Sequence, residues 1–417
     1  MEPMNNTLLG GPRILLEPSA TDVCYAGIAV AAGTRHELDG ESGMAHLVEH
    51  MSFKGTRHLT SVQVLNRMEG VGGELNAYTG KEETIYYATF LRQHLRRALP
   101  LLMDIVFGST YPQEELEKER EVVIDEIESY NDSPAELIYD DFEGLLFPGH
   151  PLGRSILGDA ERLRQYTSAD LQSFVQRTYR PERAVLFVKG NVRMEDVIKG
   201  MKGNHLSPVQ SDEQSSSGSN ADGSQLTPSS VPSNTPSFVT IDKGTHQAHV
   251  MLGTRAYSVT DPRRMGLFLL NNLLGGPSLN SRLSLALRER TGLVYTVDSS
   301  LTSYTDTGVW SIYFGCDHAD VGHCLRLVRR ELSRLCAAPL PSRTLATAKR
   351  QLKGQLGIGA DNFENTALAM AKYFLHTGQR RSLEETGKLI DALTAEQLHE
   401  IACEVMNPEG LTTLIYQ

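Results

Sequence analysis

Hydrophobic and polar positions recur with two periods along the first half of the chain. A period of two, rich in β-branched and aromatic residues, predicts strands at about 12–17, 23–32, 72–80 and 83–90. A period near 3.6 predicts helices at about 42–54, 60–70, 92–109, 113–131, 134–146 and 167–178. The first half is therefore expected to run strands, helices, strands, helices.

The second half repeats this order with largely different residues. Strands are predicted at FVTIDK, AHVMLGTRAY, LVYTVDSS and GVWSIYFG, with two helices over about 262–291 and further helices over most of 318–405. The shared order predicts an α+β fold of two structurally similar domains. Each domain is expected to be a largely antiparallel sheet with helices packed on one face.

A low-complexity segment separates the two halves. Residues 204–236 are rich in Ser, Pro, Gly and Asn and contain no aromatic residue, a composition that buries too little apolar surface to order itself. We interpret this segment as a flexible linker between domains at 1–203 and 237–417. A coil of this length spans roughly 30 Å.

Composition agrees with two soluble domains. A chain of 417 residues exceeds what one core usually serves, and its 40% hydrophobic and 22% charged residues are typical of globular proteins. No apolar run approaches the roughly 18 residues that a membrane span needs, so no membrane segment is expected. The formal net charge of −11 argues against nucleic-acid binding, which requires a basic surface.

The N-terminus and the cysteines bear on the compartment. The first residues show neither a secretory signal nor an Arg-rich transit pattern. Five cysteines without C-x-x-C spacing are expected to be buried thiols in a reducing compartment, so we predict a cytoplasmic location. The acidic stretch 114–143 is interpreted either as a solvated helix face or as a surface that favours basic peptides.

The segment ESGMAHLVEHMSFKGT contains the chain's clearest chemical motif. His46 and His50 are four residues apart, so on a helix both imidazoles project from one face, and Glu49 lies beside them. Two imidazoles and one carboxylate would leave zinc an open position for a water, and an uncoordinated carboxylate can accept that water's proton. Apolar neighbours imply burial, which is costly for such groups without a metal.

A third ligand is expected to be an acid on another helix. The segment EKEREVVIDEIESYND offers Glu117, Glu119, Glu121, Asp125, Glu126 and Glu128. Spacing alone does not choose among these acids, although Glu119 and Glu126 share one helix face.

Several stretches resemble the pitrilysin/insulinase family of zinc metallopeptidases, of the two-repeat type that is similar to the mitochondrial processing peptidase. They are SGMAHLVEHMSFKGT, GGELNAYTGKEETIYYA, EREVVIDEIESYNDSP, PLGRSILG and GGPSLNSRLSLALRERTGLVYTV. The resemblance covers nearly the whole chain. It implies a zinc endopeptidase that cuts short or unfolded peptides in a chamber between its two halves.

The resemblance also assigns roles to residues. It implies that Glu126 is the third zinc ligand, with His46 and His50, and that Glu119 orients the zinc shell while Glu49 acts as the base. Arg288 and Tyr295 of the second repeat would hold the substrate and stabilise the oxyanion. The segment implied to bind the peptide as an added strand comprises Asn76, Ala77, Tyr78 and Thr79.

Partners and rival functions follow from the same comparison. The resemblance implies a homodimer or a heterodimer with an inactive paralogue, and the second repeat, which lacks the H-x-x-E-H motif, would be inactive. A non-catalytic or partner-dependent subunit is the alternative, although Glu49 and all three expected ligands are present. A metal lyase that shares the motif but uses a cysteine ligand is disfavoured, since no cysteine lies between Cys24 and Cys316. The physiological substrate, the cleavage preference and the type of dimer do not follow from the sequence.

Overall fold

The computed structural model describes residues 4–7, 11–201 and 235–417, with backbone alone for residues 4–7. It divides into two compact units. The first unit comprises Met1–Ile127, Ile156–Ser229 and Asn362–Gly378, and the second comprises Glu128–Ser155, Ser230–Asp361 and Gln379–Gln417. Each unit therefore takes one segment from the other half of the chain. The predicted linker lies outside the described residues apart from positions 235 and 236.

The first unit is built on a six-stranded sheet. Its strands are β1 (Met4–Thr7), β2 (Arg13–Pro18), β3 (Val23–Val30), β4 (Glu74–Thr79), β5 (Thr84–Leu91) and β6 (Ala184–Gly190). Their order is β1-β2-β6-β3-β5-β4, and every neighbouring pair is antiparallel except β2 with β6. Strand β4 is therefore an edge strand, whereas β3 and β6 lie inside the sheet.

Most helices of the first unit come from the first half of the chain. They are α1 (Met44–Met51), α2 (Ser61–Glu69), α3 (Leu95–Gly108), α4 (Gln113–Asn131), α6 (Ala160–Leu163), α7 (Ser168–Thr178) and α8 (Met194–Met201), with α5 (Pro134–Leu146) in the other unit. Alternate residues of the central strands, such as Ala26 and Ile28, meet apolar side chains of α1 and α3, such as Leu47 and Leu102, in one buried cluster. Burial of this cluster fixes α1 against the sheet.

The opposite face of this sheet is covered by a helix from the second half, α12 (Phe363–Thr377). Phe374 and Leu375 of α12 belong to a buried cluster with Val185 and Phe187 of the sheet. The buried carboxylate of Glu83 adds ion pairs to α12, 2.9 Å from His376 and 2.5 Å from Lys372. Apolar packing and charge thus both hold α12 to the first sheet.

The second unit is built on a five-stranded sheet. Its strands are β7 (Phe238–Ile241), β8 (Ala248–Ala256), β9 (Val294–Ser303), β10 (Gly308–Cys316) and β11 (Thr412–Tyr416). Their order is β7-β11-β8-β10-β9, and only β7 with β11 is parallel. Strand β9 is an edge strand.

Helices cover both faces of the second sheet as well. One face carries helices of the second half, which are α9 (Arg264–Gly275), α10 (Val321–Ala337), α11 (Ser342–Gly359), α13 (Leu383–Ala392) and α14 (Ala395–Val405). The other face packs against α5, whose Ile138 and Phe142 lie in a buried cluster with Leu414 and Tyr416. Tyr416 also donates a hydrogen bond to Asp141 of α5 at 2.5 Å.

The predicted fold class is confirmed, because both units are largely antiparallel sheets with packed helices. In addition, helices cover both faces of each sheet, and the helix on the second face comes from the other half of the chain. The division into a catalytic domain at 1–203 and an inactive domain at 237–417 stays a prediction. In the described parts of the chain, no helix combines the length and the apolarity needed to cross a bilayer.

The cysteines differ in part from expectation. All five are free thiols, and Cys24, Cys316 and Cys324 are buried as expected. Cys403 is exposed on the surface of α14, and Cys336 is half-buried, so the expectation of burial is wrong for Cys403.

Candidate metal centre

Helix α1 carries both histidines of the H-x-x-E-H motif. Its start is fixed by a carboxylate from an earlier loop, since the backbone N–H of Ala45 donates to Glu37 Oε1 at 3.0 Å. Leu47, Val48 and Met51 are fully buried and press one side of the helix against the core. The remaining side presents His46, Glu49 and His50.

Two glycines allow the start of α1 to pack closely against the segment PLGRSILG. Gly43 and Gly158 have positive φ values of 79° and 82°, a backbone conformation that favours glycine. A Cβ atom on Gly158 would collide with the backbone of Gly43. The loop at residue 158 is therefore in direct contact with the start of the helix that bears the motif.

Helix α4 places one of its acids opposite the two histidines. Glu126 Oε2 lies 3.8 Å from His46 Nε2 and 3.5 Å from His50 Nε2. In the part of the chain that the structure describes, these three residues form the one group of this kind, with potential ligand atoms within 4.8 Å of one another. Donor atoms held about 2.1 Å from a tetrahedral ion lie about 3.4 Å apart, so this arrangement fits zinc.

The other acids proposed as third ligands point elsewhere. Glu117, Glu121, Asp125 and Glu128 are exposed on α4 and are absent from the ligand group. Of the two interpretations of the acidic stretch, these positions favour a solvated helix face.

The imidazole of His46 is set up to coordinate a metal. It is 7% exposed, and burial, with a smaller contribution from His50, lowers its pKa to about 3. His46 is therefore neutral near pH 7, which is the form that binds zinc.

Glu119 and Lys54 hold the second histidine in place. Glu119 Oε1 lies 3.0 Å from His50 Nδ1, and its other oxygen forms an ion pair with Lys54. Burial lowers the pKa of His50, but the hydrogen bond to Glu119 and the nearby carboxylates outweigh burial and raise that pKa overall. Burial also raises the pKa of Glu119, and its bonds to His50 and Lys54 reverse this and lower it.

The Glu119 contact selects one tautomer of His50. An anionic carboxylate at Nδ1 accepts its proton, which leaves Nε2 with a lone pair on the side that faces Glu126. Lys54 was not predicted as part of the site, although it lies only four residues after His50, just beyond the end of α1. Its spacing from His50 was the available signal.

Glu49 lies next to His50 on α1 and is 8% exposed. Burial raises its pKa, whereas a hydrogen bond from Thr79 and the neighbouring His50 act in the opposite direction. Thr79 Oγ1 donates to Glu49 Oε2 at 2.6 Å. A carboxyl group with a raised pKa is suited to exchange protons near neutral pH.

The segment Asn76 to Thr79 lies in β4 at the edge of the first sheet. On one side it pairs with β5 in antiparallel register, Ala77 opposite Tyr86 and Thr79 opposite Thr84. An edge strand has a free row of backbone groups to which an extended peptide can add.

Arg288 and Tyr295 belong to the second unit. Arg288 lies in a π-helical segment, Ser284–Glu289, and its Nε donates to Glu289 Oε1 at 2.9 Å. Tyr295 stands on the edge strand β9 with 89% of its surface exposed, so its phenol is open to solvent. The roles predicted for these two residues stay proposals.

Comparison with known proteins gives the family. The profile described as "Insulinase (Peptidase family M16)" matches residues 13–160, and that described as "Peptidase M16 inactive domain" matches residues 165–352. The uncharacterized zinc protease YmxG of Bacillus subtilis (strain 168) is 32% identical over 413 residues, which cover 98% of this chain and 97% of its own. The beta subunit of the mitochondrial-processing peptidase of Rattus norvegicus is 31% identical over 405 residues, covering 94% and 80%.

Solved structures agree on the fold. A protease from Helicobacter pylori superposes with a TM-score of 0.86 at 22% identity, covering 100% of this chain and 99% of its own. A peptidase M16 inactive domain from Pseudomonas fluorescens gives 0.82 at 20% identity, covering 100% and 98%. The chain belongs to the insulinase family of peptidases, family M16, as its resemblance implied.

Proposed function

We propose that this protein is a zinc-dependent endopeptidase that hydrolyses short or unfolded peptides. The observation that carries the proposal is the convergence of His46, His50 and Glu126 on one position, with the buried carboxylate of Glu49 beside it. Relatives over nearly the full chain are named zinc proteases, which supports the same chemistry.

Each residue of the centre has a separate task in this mechanism. His46, His50 and Glu126 hold the ion, which when bound supplies a Lewis acid for the scissile carbonyl and the attacking water. Glu49 accepts a proton from the attacking water and then delivers it to the departing amine. Glu119 keeps His50 in the required tautomer and orientation.

Substrate would be held through its backbone. In the proposal, an extended peptide adds to the free edge of β4 along Asn76, Ala77, Tyr78 and Thr79, so selectivity for side chains is broad. This mode requires an extended chain, which suits short or unfolded peptides. Arg288 and Tyr295 would hold the peptide carbonyls and stabilise the oxyanion, with the substrate enclosed between the two halves.

A cytoplasmic dimer is part of the same proposal. One relative is named as a subunit, the beta subunit of the mitochondrial-processing peptidase, which favours pairing with a second copy or with an inactive paralogue. The same name supports the alternative function, a subunit that cleaves only with its partner.

The test is substitution within the centre, assayed on a mixed peptide library by mass spectrometry. Glu49→Gln should keep one zinc per chain and lose nearly all turnover, because the amide is nearly isosteric but accepts no proton. His50→Ala should lose the zinc, measured by elemental analysis. Glu121→Gln on the exposed side of α4 is the control for a surface carboxylate and should behave as wild type.

The outcomes separate the two functions. Wild-type turnover by Glu49→Gln, or undiminished zinc in His50→Ala, would refute the proposed centre. Wild-type protein that binds zinc but cleaves nothing would favour the partner-dependent subunit. In that case activity should appear when the partner chain is added.

A further inference from the structure

The hydroxyl group of Thr79 connects the edge strand with the base. Thr79 is the last residue of β4, and its Oγ1 lies 2.6 Å from Glu49 Oε2. Glu49 stands on α1, thirty residues earlier in the chain. One residue therefore belongs to the strand proposed to pair with the peptide and also contacts the carboxylate proposed to move the proton.

The hydroxyl group of Thr79 donates its one proton to Glu49. The other nearby hydroxyl, Thr84 Oγ1, is 3.4 Å from Thr79 and donates its own proton to the carbonyl of Ala32 at 2.8 Å. Thr84 therefore has no proton left for Thr79. The much shorter distance to Glu49 identifies the carboxylate as the acceptor of the Thr79 proton.

The strand itself restrains Thr79. Its backbone pairs with Thr84 at the start of β5, and Thr84 is fully buried, so Thr79 has little freedom to move. A carboxylate on a two-carbon side chain rotates freely unless such a bond holds it. The Thr79 bond fixes one oxygen of Glu49 and leaves the other for the water.

We propose that Thr79 is a positioning residue, whose side chain orients the Glu49 carboxylate relative to a peptide paired with β4. The inference rests on the proposed endopeptidase function and adds to it a role for the side chain. Because the same residue carries the strand backbone and the hydrogen bond, the register of the peptide on β4 and the place of the base are linked. Misplacement of a catalytic group by about 1 Å costs on the order of 10²-fold in rate.

The test compares three variants of the full chain. Thr79→Val removes the hydroxyl while keeping shape, Thr79→Ala removes it with less bulk, and Thr79→Ser keeps it. Val and Ala should lower kcat by roughly 10- to 100-fold with KM within about twofold of wild type and zinc content unchanged. Ser should retain kcat within about threefold, since it restores the donor.

A neighbouring threonine provides the matched control. Thr89 stands on β5, half-buried and away from Glu49, so Thr89→Val makes the same chemical change on the adjacent strand. Its kcat should equal that of wild type. In the Glu49→Gln background, Thr79→Val should lower the residual rate no further, because the base that it positions is already gone.

The possible results assign failure to one hypothesis or the other. If Glu49→Gln is inactive but Thr79→Val retains wild-type kcat, the Thr79 inference is wrong and the endopeptidase proposal stands. A rise in KM alone also overturns it, as do equal losses of kcat in Thr79→Ser and Thr79→Val. If the Val variant does not fold, a Thr79→Ala variant with normal kcat overturns it instead. If Glu49→Gln stays active, the endopeptidase proposal itself fails.

Discussion

The Nδ1 atom of His50 lies 3.0 Å from Oε1 of Glu119, a residue 69 positions further along the chain. Glu119 in turn forms an ion pair with Lys54, four residues after His50. The predicted ligand His50 on α1 is thus oriented by an acid from α4, and Lys54, which lies beyond the end of α1, holds that acid. The contact predicts that Glu119 affects metal binding without touching the metal.

Glu119→Gln should weaken zinc binding by about 10- to 100-fold with the fold intact, because the amide is a poorer acceptor for His50 Nδ1–H and loses its charge. Competition with a chromophoric chelator measures the change in affinity. Glu117→Gln, an exposed acid two residues earlier on α4, is the control. Equal affinity in wild type and Glu119→Gln would remove Glu119 from this role.

Tyr295→Phe should lower kcat by roughly 10²-fold or more, as expected when one oxyanion donor is lost. The side chain is 89% exposed, so the thermal midpoint and the zinc content should not change. Steady-state kinetics on one peptide separate the two parameters. A variant in which only KM rises would place Tyr295 in substrate binding instead.

Glu83→Gln should destabilise the protein by about 1.5–3 kcal/mol near pH 7, because His376 and the partly solvated Lys372 lose the charge of their common carboxylate. Burial raises the pKa of Glu83, but the bond to His376 and the charge of Lys372 outweigh it and lower the pKa. A lowered carboxyl pKa stabilises the fold above its unfolded value of about 4.3, and the contribution is lost as the pH falls through the folded value.

The difference between wild type and Glu83→Gln should therefore be largest near neutral pH and shrink below about pH 4. Denaturant unfolding at several pH values measures it. Glu384→Gln, which breaks an exposed ion pair with Lys388, should change the free energy of unfolding by less than about 0.5 kcal/mol. A difference for Glu83→Gln that does not vary with pH would exclude the carboxylate as its source.

Cutting the chain between its halves should not release them. Since each compact unit contains a helix from the other half, apolar clusters hold both fragments together after cleavage at a protease site inserted within residues 204–236. Gel filtration of the cut protein in buffer should give one peak at the elution volume of the uncut chain, and in strong denaturant it should elute later than the uncut chain. Later elution in buffer, at the size of a half-chain, would show that α5 and α12 do not bind their sheets firmly.

The residues of the candidate metal centre that are close in sequence could be predicted better than those brought together from separate segments. His46, Glu49 and His50 could be placed together from sequence, because positions three and four apart share a helix face. Glu126 could not be distinguished from Glu119 by spacing, because both lie on one face of α4, and only the family resemblance separated them. The contact of Thr79 with Glu49 depends on how β4 meets α1, which no pattern within either segment records.

The fold shows the same division. Strand β6 was not predicted, because all seven of its residues are buried and the run AVLFV has no alternation to reveal it. Helix α5 was predicted at about 134–146, where it lies, whereas α12 was covered only by the general prediction of helices over most of 318–405. Periodicity shows that a helix has an apolar face, but it does not show which sheet that face covers. The packing of one helix from each half on the sheet of the other half could therefore not be predicted.

Helix α12, which packs on the sheet of the first half, also sets an order of events during synthesis. Ribosomes add about 5–20 residues per second, and α12 follows the last strand of the first sheet by roughly 170 residues, which takes on the order of ten to thirty seconds. Until then the face formed by Leu15, Val185 and Phe187 has no cover. We therefore expect the nascent first half to be prone to aggregation until α12 is made, and a chain that stops before residue 363 to keep this apolar face exposed.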